Sequence, residues 1–545
     1  MPLKTGNNPA QYGLFATPIE AMIAEDNEVR VIAAFADRLD LPALGFKKVG
    51  KTGAGAYGPR VLLKIYLYGY LNRIRSSRTL SRECGRNIEL FWLTGNLQPA
   101  YHTIADFRKD HAPALKQVFR EFVLLCKSWN LIGGEVLAVD GTKIRGQNAM
   151  KNNYTEKKLD RHLAYIEQQV EQALDEFEEA DRNEQSTQPE GLEALGEVLE
   201  CLDKRRDKYE NLKKQLQKSG QTQVSTTDTD VRALPLKRNI VEVGYNVQSV
   251  VDSRHKLIVS TEVTNESDIN ALGRATITAC NDLGLHYEDQ VKVLADKGYH
   301  NAAELAYLQE NNIETYVAER DQSGSQPKAE GFRKDNFEYD AELDSYTCPQ
   351  GKQLTTNGTL YSKPNARGGT AYRFKRYTSS YTVCWACPKR DQCLSDTAKK
   401  YRHGRYLERN EHQEALDNNR QNLKKDPDLY KQRQAIVEHP FGTIKRSWGD
   451  TYTLLKGKEK VNGEWALIHL CYNLRRSVSL LGVTGLIRAL KAENDGFFDF
   501  LRLGAVVTQE IRAFCSDFWW CMRLVGDKKK LSLSVAGCVF AQTDG

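Results

Sequence analysis

Three acidic residues of the chain occur where a carboxylate can do chemistry. Asp140 follows the apolar run "EVLAV" and Asp296 follows "VKVLA", and a glycine comes within two residues of each. Short apolar runs of this kind predict buried strands, so both carboxylates are expected where a strand runs out into a turn. A single aspartate in this setting is better explained as the polar end of a strand, but two matching cases in one sheet weaken that explanation. Glu438 differs, because it lies in the helical pattern "RQAIVEHPFGTIKR".

Three carboxylates that converge need a cation, because like charges raise each other's pKa. Mg²⁺ is the natural partner, since it takes one or two protein carboxylates and fills its other positions with water and phosphate oxygens. Two such ions about 4 Å apart activate a water or a 3′-OH and stabilise the leaving oxygen of a phosphodiester. The three acids therefore predict metal-dependent chemistry on a phosphodiester.

The residues around Glu438 supply candidates for holding a phosphate. Lys445 follows Glu438 by seven residues, nearly two turns, so a regular helix points both the same way about 10 Å apart along its axis. Arg433 and His439 are further candidates for phosphate contacts. Pro440 leaves two interpretations open, a kink that aims Glu438 at the sheet or a helix that begins at the proline.

Four of the twelve cysteines are clustered, namely Cys348, Cys384, Cys387 and Cys393. A Cys-x₂-Cys pair with two further thiols is a suitable tetrahedral set for Zn²⁺. The alternatives are four reduced cysteines in a small β-rich insertion, or a redox pair. The redox alternative lacks the βαβ context of a thioredoxin motif.

The order of predicted elements indicates how these residues are positioned. Residues 57–130 read as several short helices, and residues 135–144 read as a strand. Residues 155–218 carry two apolar stripes at helical spacing, which predict an antiparallel helical hairpin or coiled coil. From residue 241 the order is hairpin, helix, strand, helix and strand, with Asp268 taken as the cap of the first helix. This order predicts a mixed α/β sheet.

Composition and charge narrow the class of protein. The 545 residues are 40% hydrophobic and 27% charged, which suits a globular chain with a sizeable core. No apolar run approaches a membrane span, and the N-terminus lacks the pattern of a signal peptide, so a cytoplasmic protein without membrane contact is expected.

Two segments of the chain are locally basic. Residues 57–82 carry six Lys/Arg and no acid, and residues 397–460 carry fifteen Lys/Arg against nine Asp/Glu. Such segments attract DNA, and Arg73, Arg75 and Arg78 are candidate contacts, although a solvated helix face or a helical interaction domain explains each segment alone.

In combination these stretches resemble the bacterial insertion-sequence transposases of the DDE type. The matching stretches, in chain order, are "YGPRVLLKIYLYGYLNRIRSSRTLSREC", "LAVDGTKIRGQN", "GYNVQSVVD", "VLADKGYHN" and "RQAIVEHPFGTIKR". The resemblance implies an α/β, ribonuclease H-like mixed sheet with a helical N-terminal domain, a helical-hairpin insertion and a cysteine-bearing β-rich insertion. It also implies that Asp140, Asp296 and Glu438 bind Mg²⁺ or Mn²⁺, with Lys445 as the lysine that follows the glutamate.

The implied activity is cleavage at the ends of an insertion sequence and joining of the 3′-OH ends to target DNA, by a homodimer on DNA associated with the nucleoid. The alternatives are a metal-dependent nuclease without strand transfer and a non-catalytic DNA-binding repressor. The expected domains are 1–130 (DNA binding), 131–154 with 236–325 and 397–485 (catalytic), 155–235 (helical insertion), 326–396 (four-cysteine insertion) and 486–545 (tail of unknown role).

Overall fold

The computed structural model describes residues 18–47, 56–182, 189–237, 240–319, 329–364, 371–400 and 402–492. Most of the predicted tail at 486–545 therefore lies outside the described residues. No helix among the described residues is long and apolar enough to cross a membrane.

The N-terminal region is helical, as the sequence predicts. Its helices are α1 (Val29–Arg38), α2 (Pro59–Leu71), α3 (Ser77–Glu83), α4 (Ile88–Thr94), α5 (Tyr101–Asp110) and α6 (Ala112–Ser128). Helix α2 is the central one, because every position from Leu62 to Leu71 except Lys64 is buried. Ser76 caps α3 by accepting a hydrogen bond from the backbone N–H of Thr79.

The middle of the chain alternates between sheet and insertion. It forms β1 (Val136–Arg145), β2 (Asn153–Thr155), α7 (Glu156–Arg182), α8 (Pro189–Ser219), β3 (Gln223–Ser225), β4 (Arg232–Lys237), β5 (Ile240–Asp252) and β6 (Ile258–Thr264). It continues with α9 (Leu272–Leu283), β7 (Lys292–Ala295), α10 (Ala302–Glu310) and β8 (Glu314–Val317).

The central sheet is ribonuclease H-like. Strands β6, β5 and β1 are successive antiparallel neighbours, and β7 and β8 then follow β1 in parallel. Strand β4 pairs with the first part of β5, from Ile240 to Gly244, and β6 pairs with the part that follows, from Asn246 to Val251. Residues Leu137 to Val139 of β1 have no exposed surface, because β1 lies in the middle of this sheet. The mixed α/β prediction is confirmed.

A helical hairpin and a separate β-rich sheet form where the two insertions are expected, but the second extends past the expected bound at 396, because residues 406–410 add a strand to its sheet. Helices α7 and α8 pack as an antiparallel hairpin around an apolar stripe, and the short pair β2 and β3 closes its base. The second insertion contains β9 (Glu338–Asp340), β10 (Ser345–Thr347), β11 (Gln353–Lys363), β12 (Tyr372–Thr378), α11 (Tyr381–Trp385), α12 (Arg390–Cys393), α13 (Asp396–Lys400) and β13 (Tyr406–Asn410). Its five strands form a separate antiparallel sheet.

The C-terminal part of the described chain is helical. It consists of α14 (Gln413–Lys425), α15 (Pro427–Phe441), a π-helical segment (Gly442–Ser447) and α16 (Lys458–Ala492). Helix α14 packs against β8, and α15 packs against β1, β5 and β7. Helix α15 runs through Pro440, so the helix does not begin at the proline, and the change of helical geometry follows two residues later.

Candidate active site

Asp140 lies in β1, and Asp296 comes directly after the neighbouring strand β7, at the matching position. Strands β1 and β7 are parallel, with Ala138 opposite Leu294, and the two aspartates each come two residues later. Residues at matching positions of parallel neighbours point to the same face, and neighbouring strands are about 5 Å apart. The register therefore brings together the two aspartates that the sequence predicts.

The two aspartates differ in their local backbone. Strand β7 ends at Ala295, and Asp296 caps the turn that follows by accepting a hydrogen bond from the Gly298 N–H at 2.7 Å. Strand β1, in contrast, does not end at Asp140 as the sequence predicts. It continues to Arg145, because β5 pairs with it along this whole length, and only the pairing with β7 stops.

Asp140 is a buried carboxyl with charged neighbours. Its pKa is raised to about 6, chiefly by burial; the nearby Arg433 guanidinium lowers that pKa, and the negative charges of Asp296 and Asp268 raise it. The Gly141 N–H donates a hydrogen bond to its Oδ1 at 2.8 Å. A site that resists a lone negative charge in this way is one that a cation stabilises.

Helix α15 carries Arg433 and Glu438. Its buried face, which includes Ile436, Val437 and Pro440, packs toward the sheet. Glu438 is exposed beside that face and accepts a hydrogen bond from the Gln434 side chain at 2.8 Å. The structure thus places Glu438 on the helix that covers β1 and β7, with its carboxylate held by a residue of its own helix. His439 bonds instead to the Tyr472 hydroxyl of α16 at 2.8 Å.

Lys445 lies in the π-helical segment and reaches the central sheet. Its Nζ donates a hydrogen bond to the Lys143 carbonyl of β1 at 3.0 Å, three residues beyond Asp140. The wider turn of the π-helix changes the direction of Lys445 relative to Glu438, so the two do not keep the spacing of a regular helix. Such segments are frequent at functional sites.

A fourth carboxylate, which the sequence analysis treated only as a helix cap, lies in this neighbourhood. Asp268 begins a 3₁₀ turn, and its Oδ1 accepts hydrogen bonds from the side-chain amides of Asn246 and Gln248 at 2.7 and 2.8 Å. The cap prediction was wrong, since α9 begins four residues later behind Ala271, which makes no side-chain cap. The alternation of Asn246 and Gln248 in a buried strand was the available signal, because buried amides require partners.

The predicted DNA contacts of the N-terminal region divide into two groups. Arg73 and Arg78 are exposed; Arg73 Nη2 bonds to Ser447 Oγ at 3.3 Å, and Arg78 lies over the Tyr101 ring. Arg75 is buried, and its guanidinium pairs with Asp450 and Glu464 at 2.8 Å each. The basic segment is therefore not one exposed face, and Arg75 has no exposed group to offer a phosphate.

The four clustered cysteines surround one small cavity in the second insertion. Cys348, Cys384, Cys387 and Cys393 all line it, and none forms a disulfide. The backbone N–H groups of Lys352 and Arg405 donate to the sulfurs of Cys348 and Cys384 at 3.3 Å each. Burial, together with the other three thiols, raises the pKa of Cys393 to about 11. The insertion thus gathers the four sulfurs.

The donor types at both places suit the expected ions, although the side chains are not arranged as finished cages. Within the described ranges, no group of three or more His, Cys, Asp or Glu side chains is arranged to hold a metal ion. Two neighbouring carboxylates are donors that suit Mg²⁺ or Mn²⁺, and four thiols, two of which accept backbone N–H bonds, are donors that suit Zn²⁺.

Comparison with known proteins gives two family matches and one structural match. Residues 17–110 match the family described as "Transposase domain (DUF772)", and residues 347–478 match the family described as "Transposase DDE domain". The second match includes Glu438, Lys445 and the four cysteines, whereas Asp140 and Asp296 lie outside both matches.

A solved structure, described as the cryo-EM structure of piggyBac transposase synaptic complex with hairpin DNA, aligns with 88% of this chain and 85% of that one, at 9% identity and a TM-score of 0.30. No curated protein matches the chain. The chain therefore carries a match to a transposase domain at residues 17–110 and a match to a transposase DDE domain at residues 347–478, in this order.

Proposed function

We propose that this protein is a transposase that binds the ends of its insertion sequence, cleaves phosphodiester bonds there and transfers the freed 3′-OH ends to target DNA. The observation that carries the proposal is the alignment of Asp140 with Asp296 on β1 and β7, under a helix that bears Glu438, in a chain with two transposase-family matches. The family matches support the proposed class of reaction, and the register of the sheet supports the choice of Asp140 and Asp296.

Asp140, Asp296 and Glu438 would hold Mg²⁺ or Mn²⁺, which when bound activates the attacking oxygen and stabilises the leaving one. Arg433 lies near Asp140 and favours the ionised form of that carboxyl. Lys445, fixed to the Lys143 carbonyl, is in position to hold a phosphate of the cleaved end. Glu438 would have to leave Gln434 and turn toward the two aspartates to complete this site.

DNA would lie along cations of the N-terminal region and of the π-helical segment. Arg78 lies over the Tyr101 ring, Arg73 bonds to Ser447, and the half-buried Lys445 bonds to the Lys143 carbonyl of β1. Arginines and lysines of this kind hold the phosphate backbone and give most of the affinity. Cleavage and joining of two ends require a pair of active sites, so we propose a homodimer on DNA.

Four thiols around one cavity, two of them accepting backbone N–H bonds, suit one structural Zn²⁺ in the second insertion. Its role would be to stabilise the fold of this insertion, because zinc ligation contributes directly to the folding of small units.

The proposal is tested with purified protein, a labelled DNA end carrying the inverted repeat that flanks the reading frame, and a supercoiled target plasmid. Wild-type protein is expected to cut the end and join it to the plasmid in Mg²⁺, and Asp296→Asn is expected to bind the end without cutting. Cutting without joined product would favour the nuclease alternative. Binding without cutting by the wild type would favour the repressor.

A further inference from the structure

A network of buried polar side chains lies on the opposite face of β1 and β5 from Asp140. Asn246 and Gln248, two residues apart on β5, point to this face and are almost completely buried. Both amides donate to the same oxygen of Asp268, at 2.7 and 2.8 Å. Asn246 also donates to the Glu266 carbonyl at 3.0 Å, so the turn before α9 is tied to the strand.

The network extends to the turn that holds Asp296. The Tyr299 hydroxyl donates to Gln248 Oε1 at 2.5 Å, and Tyr299 is 1% exposed. Its backbone N–H donates to the Asp296 carbonyl at 3.1 Å. The turn at 268–270 and the turn at 297–299 are packed against each other. Asp268 therefore orients the Gln248 side chain, and Gln248 in turn fixes Tyr299, whose backbone N–H completes the turn that begins at Asp296.

The network also contacts β1 immediately after Asp140. A Cβ on Gly141 would lie 2.5 Å from Asp268 Oδ1 and 2.8 Å from Gln248 Nε2, which shows how closely the carboxylate approaches the strand. The other oxygen of Asp268 lies 3.9 Å from Lys143 Nζ, and the Lys143 carbonyl accepts the hydrogen bond from Lys445. The Asp268 carboxylate is therefore linked to all three residues of interest: to Asp296 through Gln248 and Tyr299, to Asp140 through the adjacent Gly141, and to Lys445 through Lys143.

We infer that Asp268 is a positioning residue, which fixes the spacing of Asp140 and Asp296 and the place of Lys445 from the opposite face of the sheet. This inference rests on the proposed function of those three residues. An ionised acceptor strengthens both amide hydrogen bonds and leaves its second oxygen toward the Lys143 ammonium. An asparagine there still accepts from the amides, but turns an NH₂ group toward Lys143. We therefore expect the negative charge of Asp268, and not only its shape, to be needed for the positioning.

The experiment uses full-length protein with Asp268→Asn and the matched control Asp252→Asn. Asp252 is a buried aspartate at the other end of β5, where its carboxylate accepts N–H bonds from Gly133, Gly134 and Arg254. Two metal constants are measured, the Mn²⁺ affinity by calorimetry and the Mg²⁺ concentration that half-saturates end cleavage, together with the melting temperature in chelator.

Loss of a residue that orients metal-binding side chains typically weakens metal affinity about 10- to 100-fold, and we expect Asp268→Asn to raise both metal constants within that range. Asp252→Asn should lower the melting temperature and leave the metal constants as in the wild type. Tyr299→Phe, which removes only the hydroxyl at Gln248, should raise the metal constants in the same direction by a smaller factor. The double variant Asp268→Asn with Tyr299→Phe should have the same metal constants as Asp268→Asn alone, because both substitutions act on the same network.

Wild-type metal constants in both Asp268→Asn and Tyr299→Phe would overturn the inference and leave the proposed function intact. Equal increases in Asp268→Asn and Asp252→Asn would also overturn it, because the effect would then follow general stability. A wild-type protein that neither binds Mn²⁺ nor cuts the end would instead remove the proposed function, and the positioning role with it.

Discussion

Glu438 is the residue whose role depends most on movement. In the structure it is exposed and bonds to Gln434, while Asp140 in β1 and Asp296 just after β7 already lie at matching positions. If it completes the metal site, Glu438→Gln keeps the shape and removes the charge, so end binding should survive and cleavage should fall by about three orders of magnitude or more. The measurement is a cleavage assay on a labelled end, with Gln434→Ala as control, which should cut at close to the wild-type rate.

Lys445→Ala provides the comparison for that variant. It leaves all three carboxylates in place, so cleavage should weaken while the metal dependence stays as in the wild type. Mn²⁺ should restore more activity to Glu438→Gln than to Lys445→Ala, because Mn²⁺ suits the same carboxylate donors and only the carboxylate variant has a damaged metal site. Near wild-type cutting by Glu438→Gln would show that another acid completes the site.

The raised pKa of Asp140 leads to a prediction about pH. Burial raises the pKa of this carboxyl from its ordinary value of 3.8 to about 6 in the folded chain, so below pH about 4 both the folded and the unfolded state hold the proton and no penalty exists. The penalty grows as pH rises from about 4 to 6 and is complete above 6. Without metal, Asp140→Asn should therefore unfold less readily than wild type at pH 7, by about 2 kcal/mol or less because the side chain is not fully enclosed.

The check is denaturant unfolding in chelator at several pH values between 4 and 8. A stability difference between wild type and Asp140→Asn that is constant over that range would show that burial does not oppose ionisation of this carboxyl. Addition of Mg²⁺ should stabilise the wild type and leave Asp140→Asn unaffected.

At the scale of elements, the second insertion is the one whose stability should depend on a metal. Cys387→Ser removes one of four sulfurs around the cavity, so bound zinc by elemental analysis and the melting temperature should both fall. Cys201→Ser is the control, because Cys201 is exposed on α8 and far from the other sulfurs in sequence. Wild-type protein that purifies without zinc and keeps its full stability in chelator would contradict the prediction.

The π-helical segment is an element with a consequence for the active site. It follows α15 directly after Pro440 and Phe441, and it carries Lys445 to β1 and Ser447 to Arg73. Through these two hydrogen bonds the segment connects the central sheet to the N-terminal region, and a helix of regular geometry would place the two side chains differently around its axis.

At the scale of the whole molecule, a buried ion cluster joins the N-terminal helices to the C-terminal part of the described chain. Arg75 pairs with Asp450 and Glu464, and Arg108 contacts Tyr70 and lies 3.9 Å from Glu464. Removing one partner leaves buried charges unpaired, so Arg75→Ala should destabilise the full chain by about 3–5 kcal/mol in denaturant unfolding. Arg82→Ala, at an exposed arginine of α3, should leave stability within about 0.5 kcal/mol. Similar stability of the two variants would show that the buried ion cluster does not stabilise the contact between these two parts of the chain.

The exposed cations lead to the prediction for DNA binding. Full-length protein should bind duplex DNA with an affinity that falls steeply with salt. Replacing Arg73 and Arg78 together by alanine should reduce the slope of log affinity against log salt by about two, because each phosphate contact releases about one counterion. Lys204 and Arg206 of the helical hairpin, replaced together, serve as the control and should leave the slope unchanged. A slope that the Arg73 and Arg78 variant does not alter would place the DNA elsewhere.

Several features of this protein followed from its sequence alone. Apolar periodicity gave the N-terminal helices, the helical hairpin and the strands that carry Asp140 and Asp296, because a helix or strand buries one face and its pattern is local. Motif spacing gave the four cysteines of one cavity. These features can be predicted because each depends on a pattern of residues that are close together in the sequence.

Other features were decided only by the tertiary structure. Strand β1 continues past Asp140 because β5 is there to pair with it, and Arg75 is buried because acids more than 370 residues away neutralise it. Asp268 accepts hydrogen bonds from the side chains of Asn246 and Gln248 and does not cap α9, because these buried amides of β5 need an acceptor. Each of these outcomes depends on partners remote in sequence, which no local pattern contains.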